Sequence, residues 1–331
     1  MERFALAAAV VLGFALTAAL CSLFVPLRRV LERREQQQQP VQSEQPRPAP
    51  LRAPLWGGLC AAAGTVAAVG VGWLAACVGQ PELLGSEGRL MTRLLTALAG
   101  SLAFGAVGLA EDLARMRSPA ALGLRRDVRL LLEALAAAFV LLLLRAAGCL
   151  PRGLGVPGAG YVLLGSAAPF LWAVLMVALA ECARIAERDE GAVCGAAFVA
   201  MLALMMVEAG LGVSGLAVLP GALAGALVAL GLWAFPPARL GVGCCGSLLA
   251  AGAIGCIPLS LDMTSLTVPL ALPFWAAGGL LAAQLLCAKR TGKPLRCWVK
   301  KHKMSPETVF LCSFALSAVG YVLALALLRW C

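Results

Sequence analysis

The chain is poor in charge, in aromatic residues and in histidine. Only 13% of its 331 residues are charged and 6% are aromatic, and His302 is the single histidine. So little charge excludes an ordinary soluble domain, in which about a quarter of the residues are charged. The scarcity of aromatics removes the stacking platforms that single-stranded nucleic acid needs, so no nucleic-acid partner is expected. Cysteine is not scarce, at 13 residues, but no Cys-x-x-Cys pair occurs and zinc-site spacings are absent. Most cysteines (Cys60, Cys77, Cys194, Cys256 and Cys312 among them) lie inside apolar runs, where they serve as small helix-packing residues. The chain also lacks the matched halves with interrupted helices that mark many secondary transporters.

Apolar residues are what the sequence has in excess: 61% are hydrophobic and the mean hydropathy is +0.89. That balance identifies a polytopic membrane protein whose residues are sorted by the bilayer. Apolar runs of about 17–25 residues fall at 4–26, 55–78, 93–110, 129–147, 161–180, 191–208, 215–234, 246–261, 267–288 and 308–328. They predict an all-α integral membrane fold of ten transmembrane helices, with 1–331 as a single polytopic domain. The first run is too long for a signal peptide and has no small-residue cleavage site, so it is read as a retained span. The alternating loops 27–54, 111–128, 181–190, 235–245 and 289–307, with Arg129 at a boundary, hold 21 of the 27 Lys and Arg residues. The positive-inside rule places these loops in the cytoplasm and both termini outside.

Two of the cytoplasmic loops differ in character. Residues 27–54 form a flexible loop whose 35–50 stretch, rich in Gln and Pro, is of low complexity. Residues 289–307 form a basic loop holding all five lysines and His302. It reads either as a solvated charge cluster lying against anionic lipid or as a phosphate-binding loop.

The polar residues that could carry chemistry gather on this same side. Glu111 and Asp112 are adjacent carboxylates at the edge of an apolar run, where ionisable groups point to function. Neighbouring acids suit a divalent metal or phosphate chemistry. Arg129 and Glu133 form an i, i+4 pair at the start of the next run. Residues 181–190 hold Glu181, Arg184, Glu187, Arg188, Asp189 and Glu190, and residues 243–248 read Gly-Cys-Cys-Gly-Ser-Leu.

In this order and spacing the pieces resemble the phospho-N-acetylmuramoyl-pentapeptide transferase family, one of the polyprenyl-phosphate phosphosugar transferases. Ala53–Leu59 looks like the family's T-P-T-M-G-G-L, and Glu111, Asp112 and Arg115 fall on its D-D-x-x-K. Gly123, Leu124, Arg129 and Glu133 fall on its next motif, and Thr291-Gly292-Lys293 matches the T-G-K of its last cytoplasmic loop. Ser305-Pro306-Glu307 also fits, ahead of the last span.

The resemblance implies transfer of phospho-N-acetylmuramoyl-pentapeptide from UDP to undecaprenyl phosphate in peptidoglycan precursor synthesis. It further implies release of UMP, a Mg2+ cofactor, a homodimer, and residence in the bacterial inner membrane with the site in a shallow cytoplasmic-face cleft between the ends of spans 3, 4, 5 and 8. By the same resemblance Glu111 and Asp112 are the catalytic pair, handling lipid phosphate or metal. Glu187 and Glu190 face the nucleotide, Glu190 also serving the metal. Arg115, Arg129, Lys293 and His302 hold phosphates.

The departures from the pattern cluster at the chemistry. Cys244 stands where the family's G-D-x-G-S supplies a metal-binding Asp, and Ala234 stands at an Asn position. Glu187 and Glu190 replace two Asp, Glu181 and Arg184 replace two Asn, and Lys300-Lys301-His302 replaces a histidine triplet. A thiolate is a poor ligand for magnesium, so activity is expected to be severely reduced. The alternatives are a non-catalytic paralogue that binds nucleotide sugar or polyprenyl phosphate, or modulates an active transferase, and a soft-metal or redox site built from Cys244, Cys245, Cys182, Cys297 and His302.

Overall fold

The computed structural model describes residues 2–38, 56–79, 88–117, 123–156, 160–187, 191–213, 215–235, 239–291 and 306–330. Within them the chain is helical almost throughout. The long helices are α1 (Glu2–Gln38), α2 (Gly57–Gly79), α3 (Gly88–Arg117), α4 (Arg126–Ala146), α5 (Ala168–Ala186), α6 (Ala192–Gly210), α7 (Val218–Ala234), α8 (Gly243–Ser260), α9 (Leu272–Thr291) and α10 (Pro306–Trp330).

Seven of the described helices (α1, α2, α3, α5, α6, α8 and α10) are long and apolar enough to cross a membrane. A helical turn at Thr264–Leu270 and the first part of α9 form an eighth candidate, bent by 65°. The bend lies between Pro269 and Pro273, each of which withholds a backbone N–H and crowds the preceding turn. Of the other expected spans, α7 is apolar but only 17 residues long, and α4 carries Arg129, Glu133 and Arg145 along its length.

Small residues decide which helices occupy the centre. The α8 span is wholly buried, whereas only 17% of the α10 span and 22% of the α1 span are. α8 is built mainly from Gly, Ala, Cys and Leu, and small residues let helix backbones approach closely where lipid supplies no hydrophobic driving force. α3 packs along α8 more extensively than any other pair. A methyl group built on Gly108 would overlap the backbone of Cys244, so this glycine is what lets the two helices touch.

Several predicted boundaries move. α1 continues to Gln38, past the expected loop start at 27. Arg28–Gln38 is rich in Arg, Glu, Gln and Leu, all good helix formers, so propensity carries the helix on after the apolar run has ended. The rest of that loop (39–54) and residues 292–305 of the basic loop lie outside the described residues. α3 likewise runs on to Arg117, so Glu111, Asp112 and Arg115 are helical rather than in a loop. The fifth span does not begin at 161. Gly153–Val156 (β1) and Gly160–Leu163 (β2) pair as an antiparallel hairpin, with Gly153 opposite Leu163, and α5 starts only at Ala168.

Candidate active site

Four helix ends converge at one end of the bundle. The last turns of α3 supply Glu111, Asp112 and Arg115. The first turns of α4 supply Arg129 and Glu133, the end of α5 supplies Glu181 and Arg184 with Glu187 just beyond it, and the start of α8 supplies Cys244 and Cys245. The four helices correspond to the apolar runs 93–110, 129–147, 161–180 and 246–261.

Asp112 is 1% exposed and its carboxylate is fully engaged. Cys244 N–H donates to one oxygen at 3.0 Å and Cys245 N–H to the other at 2.9 Å. α8 has no capping side chain of its own, because Val242 holds the cap position. Asp112 therefore caps α8 from a distance of 132 residues, meeting two orphan amides and the positive end of the helix dipole. Gly243, with φ of +70°, makes the turn that aims these amides back at α3.

Glu111 and the arginines form a connected lattice. Arg115 meets Glu111 at 2.8 Å, Glu187 at 3.4 Å and Asp112 at 3.9 Å. Arg129 meets Glu181 at 2.8 Å, Glu111 at 3.7 Å and Glu133 at 4.0 Å. Arg184 closes the far side on Glu181 at 2.7 Å. Five carboxylates thus face three guanidiniums, so the fully ionised cluster carries a formal charge of −2. Glu111, Asp112, Arg129 and Glu133 are buried, while Arg115, Glu181, Arg184 and Glu187 form a half-buried edge. One oxygen of Glu111 and both of Glu133 have no hydrogen-bond partner.

The Cys244 thiol donates to Glu187 at 2.9 Å. Asp112, Glu187 and Cys244 each offer an atom within 4.8 Å of the others, and among the described residues they are the one such group of metal-ligating side chains. The group does not fit magnesium. One of its three donors is sulfur, both Asp112 oxygens already accept amide hydrogen bonds, and the Arg115 guanidinium already sits against both carboxylates. Nor is it a thiol-rich site. Cys182 faces Gly278 of α9 and is not in the group, and Cys245 packs against Gly58 of α2. Cys297 and His302 lie outside the described residues, as do Glu190 and Lys293.

Sequence reasoning placed Asp112 and Cys244 opposite each other but missed that the link runs through the backbone amides of Cys244 and Cys245. The signal was present in Gly-Val-Gly-Cys-Cys, a helix start without Ser, Thr, Asp or Asn, which must borrow its cap. It also passed over Glu181 as the close partner of Arg129 and Arg184.

The chain matches no curated protein. The model of glycosyl transferase family 4 matches residues 94–262, which takes in Glu111, Asp112, Arg115, Arg129, Glu187 and Cys244 and leaves out Ala53–Leu59 and the basic loop. That match covers half of the chain and spans all four of the converging helix ends, and the chain belongs to this family, that of phospho-N-acetylmuramoyl-pentapeptide transferase and related polyprenyl-phosphate phosphosugar transferases.

Proposed function

We propose that this protein binds a nucleotide sugar and a polyprenyl phosphate at the converging ends of α3, α4, α5 and α8, and that its transfer of a phosphosugar between them is severely impaired. The ligands implied by the resemblance are UDP-N-acetylmuramoyl-pentapeptide and undecaprenyl phosphate, on the cytoplasmic face of a bacterial inner membrane. The observation that carries the reading is the Cys244 thiol bonded to Glu187 at 2.9 Å, in the place of the family's metal-binding Asp.

Phosphoryl transfer depends on neutralising the charge spread over the phosphate oxygens and on aligning attack. Here the three arginines of the cluster are each committed to carboxylates, which outnumber them five to three before any phosphate arrives. Arg115, 22% exposed, is the most accessible of the cluster's three arginines and the one that would meet an incoming phosphate. Added positive charge would come from the basic loop, with Lys293 and His302. This arrangement supports binding more than turnover and favours a non-catalytic paralogue over a rearranged working site.

The test supplies purified protein with magnesium, undecaprenyl phosphate and UDP-N-acetylmuramoyl-pentapeptide. The expected result is nucleotide-sugar binding by calorimetry without UMP release. Steady UMP release that disappears in Asp112→Asn would overturn the impairment, and absence of binding to either ligand would overturn the proposed site.

A further inference from the structure

The other end of α4 carries a second polar site, apart from the carboxylate cluster. Arg129 and Arg145 lie 16 residues apart on this helix, which at 1.5 Å per residue is about 24 Å, close to the thickness of a bilayer core. Beyond Arg145 lies a cavity of about 450 Å³ lined by Arg145, Gly148, Pro151, Arg152, Gly165 and Ala168.

Its walls are fixed by hydrogen bonds. Gly148, with φ of +66°, ends α4: its N–H bonds the Arg145 carbonyl at 3.1 Å, and Cys149 N–H bonds the Leu144 carbonyl at 2.9 Å. That is the paired pattern of a Schellman cap. The buried Trp172 indole donates to the Pro151 carbonyl at 3.1 Å, and Leu164 N–H to the Arg152 carbonyl at 3.0 Å.

Arg145 and Arg152 are exposed and neither has an ion-pair partner among the described residues. A third arginine, Arg93 of α3, reaches the same segment through Cys149 Sγ at 3.4 Å. Asp262, the acid that meets the neighbouring hairpin, is held by the Tyr161 hydroxyl at 3.1 Å. The flanking surface is apolar: Leu163 is 74% and Phe170 77% exposed, and Leu142 lies exposed on α4.

We propose that this cavity binds the phosphate of an anionic phospholipid at the membrane interface opposite the carboxylate cluster. Arg145 and Arg152 grip the phosphate oxygens, and Leu142, Leu163 and Phe170 lie along the acyl chains. Paired guanidiniums suit phosphate because their N–H groups meet its oxygens in a fixed fork. The apolar rim selects a lipid over a free anion.

Native mass spectrometry of the full chain in detergent tests this, with phosphatidylglycerol or phosphatidylcholine added in turn. The wild type is expected to retain phosphatidylglycerol preferentially. R145Q/R152Q is expected to lose retention by about fivefold for each arginine, with an unchanged circular dichroism spectrum, because both side chains are exposed. R125Q/R126Q removes the same charge from the opposite end of α4 and is expected to retain the lipid. Equal retention by R145Q/R152Q and wild type would overturn the site. So would an equal loss in both double variants, or displacement of the lipid by millimolar inorganic phosphate.

Discussion

Replacing Asp112 by asparagine keeps the shape of the side chain and removes one of its two acceptors. The Asn amide would then face either Cys244 N–H or Cys245 N–H donor to donor, inside a site where Asp112 is 1% exposed. A buried amide left without an acceptor costs about 1–3 kcal/mol, and a carboxylate lost from a helix start costs up to about 2 kcal/mol more. Arg115 is not stranded, because Glu111 and Glu187 still hold it. The expected loss is therefore about 1–5 kcal/mol. For a chain of this size each kcal/mol lowers the melting temperature by about 2 °C, so D112N should melt about 2–10 °C below wild type. Thermal unfolding followed by circular dichroism in one detergent measures it. Residues that serve catalysis alone tend to leave stability unchanged or raised when replaced, so the sign separates a cap from a catalytic acid. Melting within about 1 °C of wild type would refute the capping role.

Four further outcomes follow from the same geometry. C244D crowds a third carboxylate against Asp112 and Glu187, with Arg115 the nearest cation to all of them, so it should melt below the wild type in magnesium-free buffer. E133Q replaces a buried carboxyl, neither of whose oxygens has a hydrogen-bond partner, by a neutral amide of the same shape, so denaturant unfolding should find it as stable as wild type or more so. G108A pushes a methyl group into the Cys244 backbone and should cost about 1–3 kcal/mol by denaturant unfolding, with α3 and α8 forced apart. R129Q leaves Glu133 buried without its cation and should lower the melting temperature more than R126Q, whose side chain is exposed.

The helices were legible in the sequence because a bilayer admits few alternatives, and apolar runs near 20 residues report it directly. Their ends were less so. Where the apolar run stops at Pro26 or Ala110, helix propensity carries α1 and α3 further, and hydropathy has no term for that. The hairpin at 153–163 is hidden from hydropathy, which sees a loop and the start of a span there; the two short runs separated by Gly and Pro are its local sign. At the site, the sequence placed Asp112 opposite Cys244 through a family pattern. It could not supply the contact itself, because two backbone amides carry no side-chain identity to read. The pairing of Arg129 with Glu181 was hidden for a similar reason, since 52 residues and a whole helical hairpin separate them.

Arg115 is held by carboxylates on two different elements, and a guanidinium cannot shed its proton to escape them. An anion that took both guanidinium nitrogens of Arg115 would have to displace Glu111 and Glu187. Each carboxylate displaced is left with an unbalanced charge in a poorly solvated place. A phosphate ligand at this edge therefore competes with two anions built into the protein, so its affinity should rise when Glu187 is made neutral, whether or not any bond is ever broken.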